Sequence, residues 1–390
     1  MNQQLRVAMV HSFYRSENPS GENLTVLRQR DLLAESGVEV ELFSVNTDEL
    51  STKKNYQSRT AVNFALGKGN DLTSEIAKFN PSIVHVHNLF PNISETAISR
   101  LRVPYVVTIH NYRYLCANGS FFRDSNPCFE CLKVRSIPGM IHSCYRDSRV
   151  ATLPLAIRNF RPVTNRPLFK KASRIIFPSE YARSVFARGA ELANSTVIHQ
   201  PGPENKAPKF VLSNPQAEKW LFIGRLTVDK GLIVLMESWP VGRKLVIVGN
   251  GPVENEMRNI VSQRGLDIIF LGSVPHDQAL DQLAQATGLV FTSSWPEVAP
   301  LVYAEALSQG KPVVSLGENT VSHWVQEHGT GYVVSSPDPA SWNECLDRIG
   351  DNYEHLSSNC RKVFAREFSK ERWISRIVEF YSKFSKVSGT

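Results

Sequence analysis

Short apolar runs, each closed by a glycine, a histidine or a Pro/Gly turn, alternate along the chain with stretches of helical periodicity. Residues 5–11 read as a first strand, followed by a polar loop at 12–23. Leu24, Leu27, Leu32 and Leu33 then recur at near-helical spacing as far as Gly37, and 38–43 alternate as the next strand. Strand, loop, helix, glycine, strand is a βαβ unit. Further strands are expected at 83–87, 105–110 and 173–177. A cluster of Pro201, Gly202 and Pro203, with the polar stretch 205–215 behind it, marks a domain boundary. The same grammar then restarts, with strands expected at 220–224, 245–248, 268–272, 288–294, 311–315 and 331–334. Helices are expected at 232–236, from His276, and at 304–308, closed by Gly310. From Trp342 onward the pattern is helical, with Trp373, Ile374, Ile377, Val378, Phe380 and Tyr381 spaced for burial. The fold class is therefore α/β, with a domain at 1–203 and another from 204.

In such sheets ligands bind outside the carboxyl ends of the strands, so residue types there carry the chemistry. Glu297 follows the strand at 288–294 and Glu305 lies in the Ala/Leu-rich segment after it, so the two bracket a strand-to-helix turn. A helix start offers unpaired N–H groups and the positive end of a dipole to an anion. A carboxylate beside that anion serves hydroxyls instead, and its two oxygens match two vicinal hydroxyls. The combination suits a ligand that is part phosphate and part sugar; the plainer alternative is a solvated glutamate and a first-turn helix glutamate. Arg225 and Lys230 follow the strand at 220–224, ahead of a helix start. A planar fork and a point charge placed there make a diphosphate site, although surface cations have the same composition. His87 and His110 each end a strand, where a structural role is the commoner one, and His87 with Asn88 suits an acceptor pocket. The first loop holds Gly21 but no G-x-G-x-x-G, which excludes an ordinary dinucleotide site there.

Between 115 and 150 the periodicity breaks. Cys116, Cys128, Cys131 and Cys144 fall in this Gly/Pro/polar insertion, and a C-x2-C core with two outer cysteines is a candidate structural zinc site, with free buried thiols as the alternative. Arg113, Arg123, Lys133, Arg135, Arg146 and Arg149 make the same insertion the expected acceptor- or membrane-facing element. Charge is uneven: residues 1–210 hold 27 Lys/Arg against 17 Asp/Glu, in a chain of net charge +7. From 100 to 188 there are 16 basic and 4 acidic residues. Such a face suits nucleic acid, or an anionic membrane leaflet. None of the usual nucleic-acid modules is present, so nucleic acid is not expected as a partner. At 390 residues, 42% hydrophobic and 21% charged, the chain has the composition of a soluble globular protein of two domains. No apolar run approaches a bilayer span and the N-terminus lacks a signal-peptide layout, so a cytoplasmic location is expected, with contact at the inner face of the membrane.

Several of these motifs together resemble the retaining, two-domain glycosyltransferases of family 4. Glu297 and Glu305 stand as E-x7-E, followed by Gly310-Lys311-Pro312-Val313-Val314, and this is similar to that family's donor-binding signature. The resemblance implies that Glu297 meets the transferred sugar and Glu305 the nucleotide ribose. Val298-Ala299-Pro300-Leu301 stands where the family often has glycines, and Pro300 has no N–H to give a phosphate. The run 224–231, with Gly224, Arg225 and Lys230, resembles the family's diphosphate motif. Gly249-Asn250-Gly251-Pro252 resembles its Gly-x-Gly-Pro turn, and the turn at Val274 would hold the base through backbone groups. Ser20-Gly21 matches in part the family's Gly-Gly pair, and His110 resembles a histidine that faces the sugar across the cleft.

The resemblance implies a GT-B fold, in which two Rossmann-like domains with parallel sheets face a central cleft, here 1–203 and 204–368, with a final helix at 369–390 crossing back to the first domain. It implies transfer of a hexose from a UDP- or GDP-linked sugar to a glycan or polyprenyl-linked acceptor, with retention of configuration. No Asp-x-Asp occurs, so no cofactor is expected for catalysis. The catalytic set would be His110, Arg225, Lys230 and Glu297, with His87, Asn88 and Arg113 on the acceptor side. Two rivals from other classes are an epimerase or hydrolase of nucleotide sugars on the same fold, and a non-catalytic basic protein that binds nucleic acid or membrane.

Overall fold

The computed structural model describes residues 4–16, 20–203 and 218–385. The expected linker at 205–215 lies outside them, as do 386–390 of the expected final helix. The chain divides into two compact units, one of Met1–Phe121, Cys128–Pro201 and Trp373–Thr390, the other of Phe122–Pro127 and Gly202–Arg372.

In the first unit the strands are β1 (Arg6–Phe13), β2 (Glu39–Asn46), β3 (Ile83–Asn88) and β4 (Tyr105–Thr108), then the short hairpin β5 (Phe122–Arg123) and β6 (Asn126–Pro127) assigned to the other unit, then β7 (Arg174–Phe177) and β8 (Ser195–Val197). The sheet runs β2-β1-β3-β4-β7-β8. All its pairings are parallel, with Val7 opposite both Val40 and Ile83. The second unit holds β9 (Trp220–Ile223), β10 (Leu245–Val248), β11 (Ile268–Gly272), β12 (Gly288–Phe291), β13 (Val313–Leu316) and β14 (Gly331–Val334). This sheet runs β11-β10-β9-β12-β13-β14, again parallel throughout.

The apolar runs are continuous because helices cover both faces of each sheet. Alternate residues of one strand feed different cores. Trp220, Phe222 and Ile247 join one cluster, while Leu221, Val246 and Val248 join another. In the first unit, Val7, Met9, Ile83, Val106 and Ile176 pack with Trp373, Ile377 and Tyr381 of the helix Lys370–Ser385. Those three residues recur every fourth position and are fully or almost fully buried, each worth roughly 1.5–3 kcal/mol by apolar transfer. Tyr381 is also tied to the sheet, its hydroxyl lying 2.5 Å from His85 Nδ1.

Both sheets reverse direction of growth. The chain leaves β1 for β2 on one side and returns to β3 on the other; it leaves β9 for β10 and β11 and returns to β12. The crevice at each reversal is where α/β sheets hold ligands.

Two local expectations change. The segment read as an irregular insertion contains the helices Glu130–Val134 and Ile137–Ile141 and runs at its end into the helix Arg149–Phe160. Two are a single turn long, too short for a periodic signal. The helix expected at 304–308 starts earlier and spans Leu301–Ser308, because Pro300 sits at its N-cap with a backbone angle suited to entering a helix.

Candidate functional site

The loops after β9, β10 and β12 are interlocked by backbone contacts. Leu226 N donates to Asn250 O at 2.8 Å, and Val253 N to Leu226 O at 3.2 Å. Gly249, at φ 138°, passes so close to the β9 loop that a Cβ there would stand 1.9 Å from Gly224 O. Gly231, at φ 68°, ends the single turn Val228–Lys230, and a Cβ on it would stand 2.1 Å from Thr292 O. These two positions require glycine for space as well as for backbone angle. Thr292 Oγ1 donates to Lys230 O at 2.7 Å, and Ser294 N donates to Asp229 O at 2.9 Å. The loop that carries Arg225 and Lys230 is thereby stitched to the one that carries Glu297, at the reversal between β9 and β12.

Within that frame Lys230 Nζ donates to Glu297 Oε1, and Ser293 Oγ donates to the same oxygen. Thr320 Oγ1 donates to Glu297 O. Asn319, which caps the helix Thr320–His328, donates from Nδ2 to Ser293 O at 3.2 Å. Glu297 is thus held by three residues, with Asn319 bracing Ser293, and is nearly buried, with 11% of its side chain exposed. Among the described residues both of its side-chain bonds fall on Oε1, and Oε2 is left to accept from a ligand hydroxyl. Lys230 also lies 6.0 Å from the Trp295 ring centroid. Arg225, two residues beyond β9, is exposed, and its guanidinium makes no ion pair among the described residues. An anion arriving here meets one free guanidinium and one ammonium already partnered by a carboxylate.

Glu305 lies on the helix Leu301–Ser308, with His276 Nε2 3.6 Å from its Oε1. His276 opens the helix after β11, two residues beyond Val274, so the expected base turn and the expected ribose carboxylate are neighbours. Leu301 is the first helical residue, and Pro300 offers no side-chain cap. Pro300 brings no N–H at the N-cap, and the amides available to an anion begin at Leu301.

In the first unit the structure brings His87 and His110 together, His87 Nδ1 lying 3.0 Å from His110 Nε2. His85 stacks on His87 with ring centroids 4.0 Å apart. Burial holds His85 at about 3 and His11 at about 4, and holds His87 and His110 well below the ordinary histidine value, so all four are neutral near pH 7. A neutral imidazole at His110 exchanges hydrogen bonds with hydroxyls and supplies no charge. One recess is lined by His87, Asn88, His110 and Arg113, together with Lys68 and Arg158. Arg113 stacks at 4.3 Å over the Phe90 ring. Gly21 is not part of that lining; it begins the helix Gly21–Glu35.

Some residues of these sites carried no assigned role in the sequence. Glu22 follows Gly21, accepts from Asn111 Nδ2 at 3.3 Å, and is pushed up to about 7 chiefly by burial. Its position, first turn of the helix after β1, is a signal that was available. Ser293, Asn319 and His276 act through neighbours distant in the chain, which spacing does not reveal.

The four cysteines of the insertion are free thiols. Burial pushes Cys131 up to about 12 and raises Cys116, whose Sγ donates to Asn118 Oδ1 at 2.9 Å. Among the described residues no three His, Cys, Asp or Glu side chains stand where they could hold a metal ion. As arranged, the cysteines do not present the four ligands converging on one point that a structural zinc site needs.

Residues 204–363 match the family described as Glycosyl transferases group 1, and residues 19–201 match Glycosyltransferase Family 4. O-antigen chain mannosyltransferase C of Escherichia coli is 27% identical over 170 residues, covering 42% of this chain and 46% of that protein. Sulfoquinovosyl transferase of Arabidopsis thaliana is 27% identical over 301 residues, covering 71% of this chain and 51% of that one. The chain thus spans about half the length of these relatives. The crystal structure of Anabaena HepE in complex with UDP and glucose superposes with a TM-score of 0.61 at 16% identity, over 97% of this chain and 100% of that one.

Proposed function

Because the chain belongs to the glycosyltransferases of family 4 and group 1, with two Rossmann-like units of the GT-B kind, we propose that it moves a hexose from a nucleoside diphosphate sugar to a glycan or polyprenyl-linked glycan, with retention. The observation that carries this reading is the Lys230–Glu297–Ser293 assembly at the β9/β12 reversal, beside the unpaired Arg225. Arg225 and Lys230 take the charge that develops on the departing diphosphate. Oε2 of Glu297 accepts from a hydroxyl of the transferred sugar, Glu305 accepts from the ribose, and backbone groups around Asn250 and Val274 hold the nucleotide. His110, neutral, exchanges a hydrogen bond with the sugar, and His87, Asn88 and Arg113 belong to the acceptor side.

In the proposed step the bond from the anomeric carbon to the phosphate oxygen breaks as the acceptor oxygen bonds to the same carbon on the same face. The acceptor proton passes to the leaving phosphate oxygen. The base, uracil or guanine, follows from the family; UDP in Anabaena HepE supports uracil as the first to try. The chain's similarity to an O-antigen mannosyltransferase supports surface polysaccharide assembly as the setting. The proposed location is cytoplasmic, in contact with an anionic membrane face; among the described residues no helix is long and apolar enough to cross a membrane.

The test is a panel of UDP- and GDP-sugars with soluble and lipid-linked glycan acceptors, following nucleoside diphosphate release and the anomeric proton coupling of the product. The expected result is acceptor-dependent release with an axial donor giving an axial product. Sugar release without acceptor would give the site to a hydrolase, and no consumption of any nucleotide sugar would remove the proposal.

A further inference from the structure

The helix Arg149–Phe160 is apolar on the side that faces solvent. Thr152, Leu155, Ala156 and Asn159 are buried, while Val150, Leu153, Ile157 and Phe160, spaced by three, four and three, are 83, 45, 51 and 56% exposed. At 3.6 residues per turn those four form one stripe. The stripe is continued by its neighbours. The helix Ile137–Ile141 packs beside Arg149–Phe160 and exposes Ile137 and Ile141, at 50 and 59%. Val134 is 51% exposed at the end of the preceding turn. Arg135 joins the two, its Nη1 donating to Phe160 O at 3.0 Å with the guanidinium 5.3 Å from the Phe160 ring. On the other flank the helix Tyr56–Ala65 packs against the same helix and leaves Val62 60% exposed. Single exposed aliphatics are ordinary; a contiguous group of this size on adjacent helices marks an interaction surface.

Charge decides the partner. Between 130 and 161 the exposed ionised residues are Lys133, Arg135, Arg146, Arg149 and Arg161 against Glu130 and Asp147. Pairing with a second copy of the chain through this face would set the arginine rims against each other. An apolar stripe with a basic border suits the boundary between headgroups and acyl chains of an anionic leaflet, where the aliphatic side chains enter and the cations meet lipid phosphates. We propose that the surface formed by Val150, Leu153, Ile157 and Phe160, with Val134, Ile137 and Ile141 beside it, seats the first unit on an anionic lipid bilayer. This gives a surface to the membrane contact of the preceding proposal and rests on that part of it, while its geometry is independent of the transferred sugar.

The test is flotation of the full chain with vesicles of phosphatidylcholine alone and of phosphatidylcholine with about one-third phosphatidylglycerol. The chain is expected to float with the anionic vesicles and to stay behind with the neutral ones. The double variant Leu153→Asp/Ile157→Asp and the double variant Arg149→Glu/Arg161→Glu should each float at least about tenfold less. All these side chains are exposed, so both variants should keep the wild-type melting temperature, and Leu153→Asp/Ile157→Asp should keep the wild-type turnover of soluble acceptor. Absence of wild-type flotation, or undiminished flotation of Leu153→Asp/Ile157→Asp, overturns the surface. So does a dimer, seen by light scattering, that Leu153→Asp/Ile157→Asp disperses, because the face would then belong to a second copy. Flotation without any nucleotide-sugar turnover would sink the transferase reading and leave this surface standing.

Discussion

Glu297 and Glu305 carry different parts of one proposed ligand, and their surroundings set different consequences for losing them. Glu297 is locked by Lys230, Ser293 and Thr320, which would preorganise its carboxylate for the proposed contact with the transferred sugar. Glu305 sits a helical turn beyond Leu301 with His276 as neighbour, and its proposed partner is a part of the donor that does not react. Glu297→Ala is therefore expected to lower kcat by about 100-fold, and Glu305→Ala to raise the donor KM about tenfold with little change in kcat. Steady-state kinetics on both variants check this; the reverse split would exchange the two roles. At this scale the sequence was informative about identity and poor about pairing. E-x7-E and the Arg225/Lys230 loop were legible through resemblance, yet nothing in the spacing shows Lys230 bonded to Glu297, because the contact depends on β9 and β12 lying side by side.

The elements were legible wherever a strand is buried on both faces, since an unbroken apolar run has few other uses. The helix Arg149–Phe160 is an element that the sequence reading did not place. Its stripe of Val150, Leu153, Ile157 and Phe160 has helical spacing, but the stripe faces outward, and apolar periodicity alone would turn it inward. The turns around the donor loops add a constraint invisible in composition: Gly249 and Gly231 are required by backbone oxygens of other loops. Gly231→Ala, which combines a left-handed φ with a collision at Thr292 O, is expected to destabilise the second unit by on the order of 1–3 kcal/mol. It should also reduce turnover through displacement of Lys230. Urea denaturation and a turnover assay check both effects, and an unchanged midpoint would show that the two loops are not interlocked as described. Metal analysis tests the insertion: with no three of its side chains placed to hold a metal among the described residues, substoichiometric zinc is expected, and one zinc per chain would require Cys116, Cys128, Cys131 and Cys144 to converge.

For the whole molecule, the buried histidines set the response to acid. His11, His85, His87 and His110 have folded values depressed by burial, so the unfolded chain binds more protons as the pH falls below about 6.5. Stability that is fully present above that value is lost as the pH falls toward about 4. Glu22, raised to about 7, acts oppositely, disfavouring the fold as the pH rises toward 7, but it is one group against four. The urea midpoint should therefore fall steadily from pH 7.5 to pH 5, by on the order of a few kcal/mol in stability; a flat profile would mean that these histidines are not buried neutral. The two-unit plan was legible because the strand–helix grammar stops at the Pro/Gly cluster near 201 and restarts at 220. The seating of Trp373, Ile377 and Tyr381 against β1 and β3 was readable only as an apolar stripe whose partner the sequence does not name. The central claim is that Arg225 and Lys230 on one loop, with Glu297 on the next, form a site for a sugar diphosphate. Its most direct test is nucleoside diphosphate release from the preferred donor by the wild-type chain, Arg225→Ala and Lys230→Ala, measured side by side. A loss of about 100-fold or more is expected in each variant, with the melting temperature unchanged in Arg225→Ala, whose side chain is exposed; wild-type turnover in both would contradict that claim.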